Sequence, residues 1–498
     1  MEVNELSDEY RALHDDWELV EALMGGTKAM RAAGKAHLPQ WPNEDAQSYA
    51  TRLTTAVLYP AYQHTVETLV GKVFSHPVTI GEDVPSRLKQ WSEDIDLEGR
   101  NLSIFASDLL EGAIGPGLGG ILVEYPVGLR NEDGTPKVMT MADEKALALR
   151  PYFVYIKPLQ ILGRRAKRVN GKWVIQQLRL LESVEEPDGE FGTVCVPQVR
   201  VLMPGAWQVW RKASGAANWS IYDFGLTSVK YVPFVPIYGK RIGFMLGKPP
   251  LLELAQLNRK HWQSQSDQDT LLHVARVPIL VRTGMQDKVG PDGTVIKSEL
   301  TIGAASAVDI PTGATLEYCE HTGQAIGAGK SSLDDLKEEM RQSGAEMLVI
   351  QPGNKTRIEA AGDSSKSMCS LQRVALSLQD GLNTAMQMMA DWVNEPTGGH
   401  VQVFTDFGAL TLEAAVADLV SLQGSSIISK ETTFKESQRR GVISADNTWT
   451  EEQARIEGEG PALGMIGIDP VTGLPVDPGT GMPPTATQPP RQANAGGQ

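Results

Sequence analysis

The sequence predicts an α+β protein of several substructures, and three observations carry that reading. Apolar residues recur at three- and four-residue steps over 59–74 and again over about 365–395, which is helical spacing. Between 150 and 245 the pattern turns alternating and rich in β-branched and aromatic residues, broken by turn signals. At 498 residues and 41% hydrophobic content, the chain exceeds one ordinary core, so about two to four substructures are expected.

Residues 1–76 read as helical. The run DWELVEALMGG (16–26) ends in a double glycine suited to a helix C-terminus, and YPAYQHTVETLVGKVF (59–74) repeats apolar residues at Tyr62, Val66, Leu69, Val70, Val73 and Phe74. The intervening AHLPQWPNEDAQSYATRL is an irregular link followed by a helix start. A third helix is expected over about 99–114. Gly115, Gly117 and Gly120 then satisfy the letters of GxGxxG, but a dinucleotide fingerprint must follow a strand and open a helix. Here the order is reversed, so GPGLGGILVEYP reads as a turn from a helix into a strand.

In the β-rich region, Asn170-Gly171 separates two strand-like runs and predicts a type I′ hairpin. VRVLMPGAWQVWRKASGAANWSIYDFG supplies another strand pair, and the prolines of YVPFVPIYGKR suit a sheet edge. An antiparallel meander accounts for the whole. The basic cluster Arg164, Arg165, Lys167 and Arg168 could touch phosphate, though charges on a solvated strand edge also guard against aggregation.

From about 250 to 276 a helix is expected, with proline at its start and a polar middle, HWQSQSDQDT, that shows no wide apolar stripe. Such a helix bridges, or packs against copies of itself. VPILVRTG, GTVIKSEL and ATLEYCE then read as short strands with a turn at Pro291-Asp292-Gly293, giving a small β unit over 277–329. A second helix follows over 330–350, with Leu333, Leu336, Met340 and Met347 on one side and Asp335, Glu338, Glu339 and Glu346 elsewhere. The loop QPGNKTRIEAAGDSS leads to the longest periodic stretch, from Ser365 to about Glu395. Its stripe of Met368, Leu371, Ala375, Leu378, Leu382, Met386, Met389 and Val393 indicates core or subunit contact. A short strand, HVQVFTDF, and three modest helices within 411–460 follow, and the Pro- and Gly-rich 461–498 is expected to be a disordered tail.

The formal charge of −15 argues against a protein that grips nucleic acid over its whole surface, because phosphate neutralisation needs clustered Lys and Arg. Cys195, Cys319 and Cys369 lie far apart and make no CxxC or Cys/His set, which points to a reducing compartment without structural zinc. The acidic N-terminus has no apolar signal core, and no run reaches the roughly 18 apolar residues of a membrane helix. A soluble, intracellular chain is expected.

No catalytic constellation emerges. The histidines form no HxxxH or HExxH pair, there is no G-x-S-x-G elbow, and adjacent acids such as Asp15-Asp16 and Asp334-Asp335 point apart on a helix. The stretch HTGQAIGAGKSS (321–332) approaches the phosphate loop G-x-x-x-x-G-K-[ST], but the first glycine position falls on Gln324, with Gly323 one residue early. Acid in the following turn would also repel a triphosphate. The segment reads as a glycine-rich connection into a helix capped by Ser331 or Ser332. These residues favour a structural or assembly role over an enzyme, and no cofactor or metal is expected.

The order of elements resembles that of the portal proteins of tailed bacteriophages. DWELVEALMGGTKAMRAAGKAHLPQWPNED, LVGKVFSHP, GPGLGGILVEYP and RPYFVYIKPLQILGRR carry the likeness, which spans about 7–457. The resemblance implies a ring, usually of twelve copies, at one capsid vertex of the virion, assembled in the host cytoplasm. Double-stranded DNA would pass through it for packaging, retention and ejection. It implies a wing (1–249), stem helices (250–276 and 330–350) flanking a clip (277–329), a tunnel loop (351–363), a long wing helix and strand (364–410) and a crown (411–460). The implied partners are copies of itself, terminase, tail adaptors, and major capsid and scaffolding proteins, with no membrane. The loop residues Asn354, Lys355, Thr356 and Arg357 would face DNA, and Asp287, Lys288, Asp292 and Lys297 of the clip would meet partners. An acidic channel would repel phosphate and let DNA slide; twelve copies at −15 sum to about −180 before counterions.

Two rivals stay open. A nucleotide-dependent motor subunit built on GAGKSS would need a buried apolar strand ending in a Mg²⁺-binding acid, for which VQVFTD, ending at Asp406, is the nearest candidate. Another head–tail connector or minor capsid protein would form a ring without the stem pair.

Overall fold

The computed structural model describes residues 2–126, 147, 149–212, 218–276, 279–283, 288–289, 291, 295–296, 313, 315–319, 324–345, 369–405, 416–439, 443–444 and 447–458. The chain divides into two compact units, Met1–Asp406 and Phe407–Gln498. Helices and strands are mixed in the first, as an α+β class requires.

The first unit opens with α1 (Asp8–Met24), α2 (Gly26–Ala33), α3 (Ala46–Thr55) and α4 (Ala61–Val73). The double glycine acts as expected: Gly25 caps α1 and Gly26, at φ 69°, restarts the chain as α2. The apolar stripe of α4 is buried at Tyr62, Val66, Leu69, Val70 and Val73. A short strand β1 (Thr79–Ile80), a one-and-a-half-turn helix α5 (Ser86–Trp91) and α6 (Leu102–Ile114) follow. Asn101 caps α6 by accepting from the Ile104 N–H, satisfying one of the orphan donors of its first turn.

Strand β2 (Leu118–Glu124) is the centre of a three-stranded antiparallel sheet. Its neighbours are β3 (Tyr152–Ile156) and, at the other edge, the segment Phe234–Tyr238. GPGLGG is thus a helix-to-strand turn. Gly117 has φ 87°, and a Cβ there would lie 2.0 Å from the Lys248 carbonyl oxygen, so close backbone approach fixes this glycine and not a cofactor.

The meander is a second, five-stranded antiparallel sheet in chain order: β4 (Ile161–Val169), β5 (Lys172–Asp188), β6 (Gly192–Met203), β7 (Ala206–Arg211) and β8 (Ser220–Leu226). Asn170 at φ 51° and Gly171 at φ 81° make the predicted hairpin, with Val169 opposite Lys172. The segment with prolines, β9 (Phe234–Tyr238), does lie on an edge, but of the three-stranded sheet, where Pro236 stands opposite Gly120. A small ribbon, β10 (Lys240–Gly243) with β11 (Leu246–Lys248), closes the region.

One core lies between the two sheets and α1. Tyr10 and Trp17 of α1, Leu118 and Leu122 of β2, Ile175, Leu178 and Leu180 of β5, and Phe234 pack together there. The Tyr10 hydroxyl donates to the Met245 carbonyl at 2.8 Å, so its polar end is satisfied inside the core. Bridging the sheets, Arg200 of β6 pairs with Glu124 of β2 and, at 2.9 Å, with Glu182 of β5. The Tyr152 hydroxyl also donates to Glu124 at 3.0 Å. Burial pushes the Arg200 guanidinium down to about 10 and raises the Glu182 carboxyl above its usual range.

Helix α7 (Leu252–Ala275) follows, then β12 (Ile279–Thr283), β13 (Lys288–Val289), β14 (Val295–Ile296), β15 (Thr315–Cys319) and α8 (Gln324–Ala345). The long helix α9 (Ser370–Trp392) is capped by Cys369 and buries Leu371, Ala375, Leu378, Leu382, Met386 and Met389, so this part of the expected stripe is core; Val393 is half-buried and Met368 lies outside the described residues. Strand β16 (Val401–Gln402) pairs with β1.

In the second unit, α10 (Val416–Gly424), α11 (Lys430–Arg439) and α12 (Trp449–Gly458) stand where three modest helices were expected. Phe434 and Trp449 join the last two, ring centroids 5.4 Å apart. Thr448 and Glu451 cap α12 reciprocally. The tail 461–498 lies outside the described residues.

Candidate functional site: the paired helices and their strand ribbon

Helix α7 is rooted by polar groups that the sequence pattern leaves looking surplus. Asn258, with no exposed surface, donates to the Tyr59 carbonyl at 2.9 Å and accepts from the Tyr62 N–H at 3.0 Å. Pro60 at the N-cap of α4 has no side-chain acceptor to offer, so Asn258 caps that helix from 196 residues away in sequence. Further along, Gln263 donates to the His37 carbonyl at 2.9 Å and Gln268 to the Ile326 carbonyl at 3.1 Å. Arg52 of α3 reaches Asp267 at 3.8 Å. Of the two expectations for this helix, bridging is what these bonds do: the polar middle of α7 ties it to other segments of its own chain.

His261 and Trp262 are buried beside Asn258. His261 lies against Tyr59 with the rings tilted and their centroids 5.5 Å apart, and burial together with the charge of Lys337 lowers its pKa.

Helices α7 and α8 run antiparallel. Gln268 meets Ile326 and Gly329, and Leu252 and Glu253 share a cleft with Ser343. The strands continue the same arrangement: β12 pairs antiparallel with β15, Ile279 opposite Cys319 and Thr283 opposite Thr315, and β13 pairs with β14. The result is a helical hairpin prolonged into a strand ribbon.

HTGQAIGAGKSS does not form the predicted connection. The helix begins at Gln324, six residues before the expected boundary of 330, and Gly327, Gly329, Lys330, Ser331 and Ser332 all lie inside it. Neither serine is a cap. A phosphate cradle needs backbone N–H groups free to converge on an anion, whereas those of Ser331 and Ser332 sit in the helical ladder. The glycine that matters is Gly329: a Cβ there would come within 2.0 Å of Gln268 Oε1. It serves helix–helix contact instead of a turn, a role that a loop reading of the glycines misses.

The exposed side of α8 carries Asp334, Asp335, Glu338 and Glu339, with Lys337 3.4 Å from Asp334 and Arg341 2.9 Å from Glu338. Such exposed pairs contribute little stability; they keep the surface polar and hydrated.

Of the partner residues expected on the clip, Lys288 lies on β13 opposite Ile296. Asp287, Asp292 and Lys297, the loop residues Asn354, Lys355, Thr356 and Arg357, and Asp406 all lie outside the described residues. The flanks of that loop are described: Ser343 near the end of α8 and Ser370 at the start of α9 line one cleft of about 920 Å³. Lys240, Arg241, Lys248 and Arg373 line it too, with Glu253 and Asp380. The sequence reading overlooked these cations, although YGKRIGFMLGKPP concentrates three of them in one short run.

Residues 250–393 match the family described as Domain of unknown function (DUF4055). The match covers both helices, the ribbon and all of α9, and it is well under half of the chain. No curated protein matches the chain. The chain is also similar, at low identity, to chains of gene transfer agent (GTA) particles. One, from the neck of an empty GTA particle computed with C6 symmetry, is 11% identical over 77% of this chain and 90% of that one, with a TM-score of 0.37. Another, from the virion of a native particle, is 12% identical over 86% and 98%, at 0.35. A third, from the neck of a native particle computed with C12 symmetry, is 10% identical over 75% and 88%, at 0.36. TM-scores of this size do not establish a common fold.

Among the described residues, no helix is long and apolar enough to cross a membrane. His14, Asp15 and Glu18 gather donor atoms within 4.8 Å, but they lie together on α1 with both carboxylates exposed, as ordinary charged neighbours on a helix surface do.

Proposed function

We propose that this chain is a portal-type protein, a ring subunit through which double-stranded DNA enters, is retained in and leaves a phage-like particle. The observation that carries the reading is the antiparallel pair α7 and α8, joined by Gln268, prolonged by the β12–β15 ribbon and rooted in a mixed α/β body by Asn258 and Gln263. A hairpin of this kind suits a stem and clip. Its root is fixed by buried hydrogen bonds, while its far end carries a ribbon free to engage a partner.

In this reading the body up to about 249 together with α9 is the wing, and α10 to α12 are the crown. Terminase and tail adaptors dock on the clip around Asp287, Lys288, Asp292 and Lys297. Lys355 and Arg357, beside Asn354 and Thr356, are the cations nearest the DNA. The cleft lined by Lys240, Arg241, Lys248 and Arg373 stands at the base of the segment that bears them. The overall negative charge keeps DNA sliding instead of sticking. Any nucleotide-driven work is done by a docked motor, since Lys330 lies in the second turn of a helix.

Electron microscopy of the purified full chain tests the proposal. Turbine-shaped rings with a central channel, twelve-fold by expectation, support it, and a population of monomers or hexamers contradicts it. ATP hydrolysis abolished by Lys330→Ala would instead favour the motor.

A further inference from the structure

Strand β5 is electrically bipolar. Seventeen residues long, it spans about 54 Å, and each end belongs to a hairpin of one sign. At its start, Arg165, Lys167, Arg168 and Lys172 are exposed around the Asn170-Gly171 turn, and the sequence from Ile161 to Leu181 holds no acid. At its other end, Glu185, Asp188 and Glu190 are exposed around the turn into β6, and no Lys or Arg occurs from Leu181 to Val199. Glu182 and Glu186 also lie there but are engaged inside the subunit by Arg200 and Arg211. The acidic end projects from its sheet, because β4 pairs with β5 only as far as Leu180 and β7 pairs with β6 only from Gln198 onward.

Each tip also exposes apolar surface. Phe191, at 93% exposure, caps the acidic tip, and Val169 and Trp173 stand at 40% and 44% beside the basic one. An exposed aromatic inside a ring of like charge is costly to leave in water and forms an effective anchor when a complementary rim closes around it. Opposite rims around apolar centres are complementary to each other.

We propose that the acidic tip of one copy docks on the basic tip of the next, with Phe191 seated against Val169 and Trp173. The two ends of one strand thereby supply the two unlike faces of a heterologous contact. Each copy gives one tip and receives the other, which is the arrangement a closed ring requires, and opposite charge sets the register. Duplex DNA is the poorer occupant of the basic tip, since a phosphate backbone would leave Val169 and Trp173 unburied. The contact deepens the ring reading and rests on it.

The test uses full-length protein in two charge-reversed forms. One carries Glu185→Lys, Asp188→Lys and Glu190→Lys, and the other Arg165→Glu, Lys167→Glu and Arg168→Glu. All six positions are exposed, so circular dichroism should remain that of the wild type. At a concentration where the wild type is fully assembled, mass photometry should show the ring fraction of each variant reduced at least ten-fold. An equimolar mixture should regain ring mass, because two like-charged tips then meet two of the opposite sign. Variants that assemble like the wild type, or a mixture that stays apart, overturn the inference and leave the ring reading intact. Wild-type protein that stays monomeric defeats the ring reading before any variant is compared. Duplex DNA binding lost in the Arg165/Lys167/Arg168 variant with assembly unchanged would give the basic tip to nucleic acid and also overturn the contact.

Discussion

Gly329 of α8 lies against Gln268 of α7 so closely that a Cβ at residue 329 would stand 2.0 Å from Gln268 Oε1, while the amide of the same glutamine donates to the Ile326 carbonyl one turn earlier. The two helices are in register here because one residue has no side chain and its neighbour has an amide. Gly329→Ala displaces Gln268 and breaks its hydrogen bond, costing about 1 kcal/mol. Improved helix propensity returns a similar amount, about 0.8–1 kcal/mol. Near-neutral stability is therefore expected for the single variant. In a Gln268→Ala background the obstruction is gone, and the same change should stabilise by up to about 1 kcal/mol. Chemical denaturation of the four proteins measures this coupling, and strict additivity would show that the two residues do not meet.

Asn258→Ala should weaken the seating of α7 on the N-terminal helices. It leaves the buried Tyr62 N–H without a partner and the Tyr59 carbonyl with the Ala61 N–H alone, a loss of about 1–3 kcal/mol. Asn258→Asp keeps the acceptor and loses the donor, so it should recover only part of the stability. Thermal melts of the two variants against the wild type distinguish these outcomes.

The link before α3 is held by Arg52 and Glu44, joined by two 2.7 Å hydrogen bonds with both side chains under 5% exposed. The Arg52 hydrogen bonds hold the Glu44 carboxyl below its ordinary range. A depressed folded pKa means that the stabilisation is full above the usual glutamate value, about 4.5, and is lost as acid titrates the folded carboxylate below it. Melting temperature should fall across that window in the wild type, and Glu44→Gln should flatten the acid limb while lowering stability at pH 7. An unchanged acid limb would remove Glu44 from the account.

Arg200→Met should leave Glu124 and Glu182 together without their cation. The cost is about 2–3 kcal/mol, below that of a fully buried pair, because the Arg200 side chain is 26% exposed. Burial already raises the Glu182 pKa, so this carboxyl favours the folded state when protonated and opposes it as pH rises through its folded value. The loss should accordingly be smaller at pH 5 than at pH 8 in denaturant titrations, and a pH-independent loss would contradict this.

Periodicity and turn chemistry were strong guides to single elements. The Asn170-Gly171 hairpin, the stripe of α9 and the helix-to-strand turn at Gly117 each follow from local rules, and each is present. What local rules could not show was tertiary use. The polar run of α7 looks unfit for burial until Tyr59, His37 and Ile326 supply partners from distant segments. Gly327 and Gly329 look like turn residues until a second helix at Gln268 needs the space. The cationic cleft was partly legible in YGKRIGFMLGKPP, but Arg373 joins it from more than a hundred residues away. The basic cluster on β4 was visible in the sequence, whereas its acidic counterpart gains meaning only once the two hairpins are known to share β5.

We propose above that α7 and α8 form the stem of a ring. A three-dimensional electron-microscopy map of the purified assembly tests it directly. The account predicts one α7–α8 pair per subunit packed side by side around a central channel, with the β12–β15 ribbon at the end of the channel and the two-sheet body outside. A ring whose helix pairs lie at the perimeter, or an assembly with no axial channel, would contradict it.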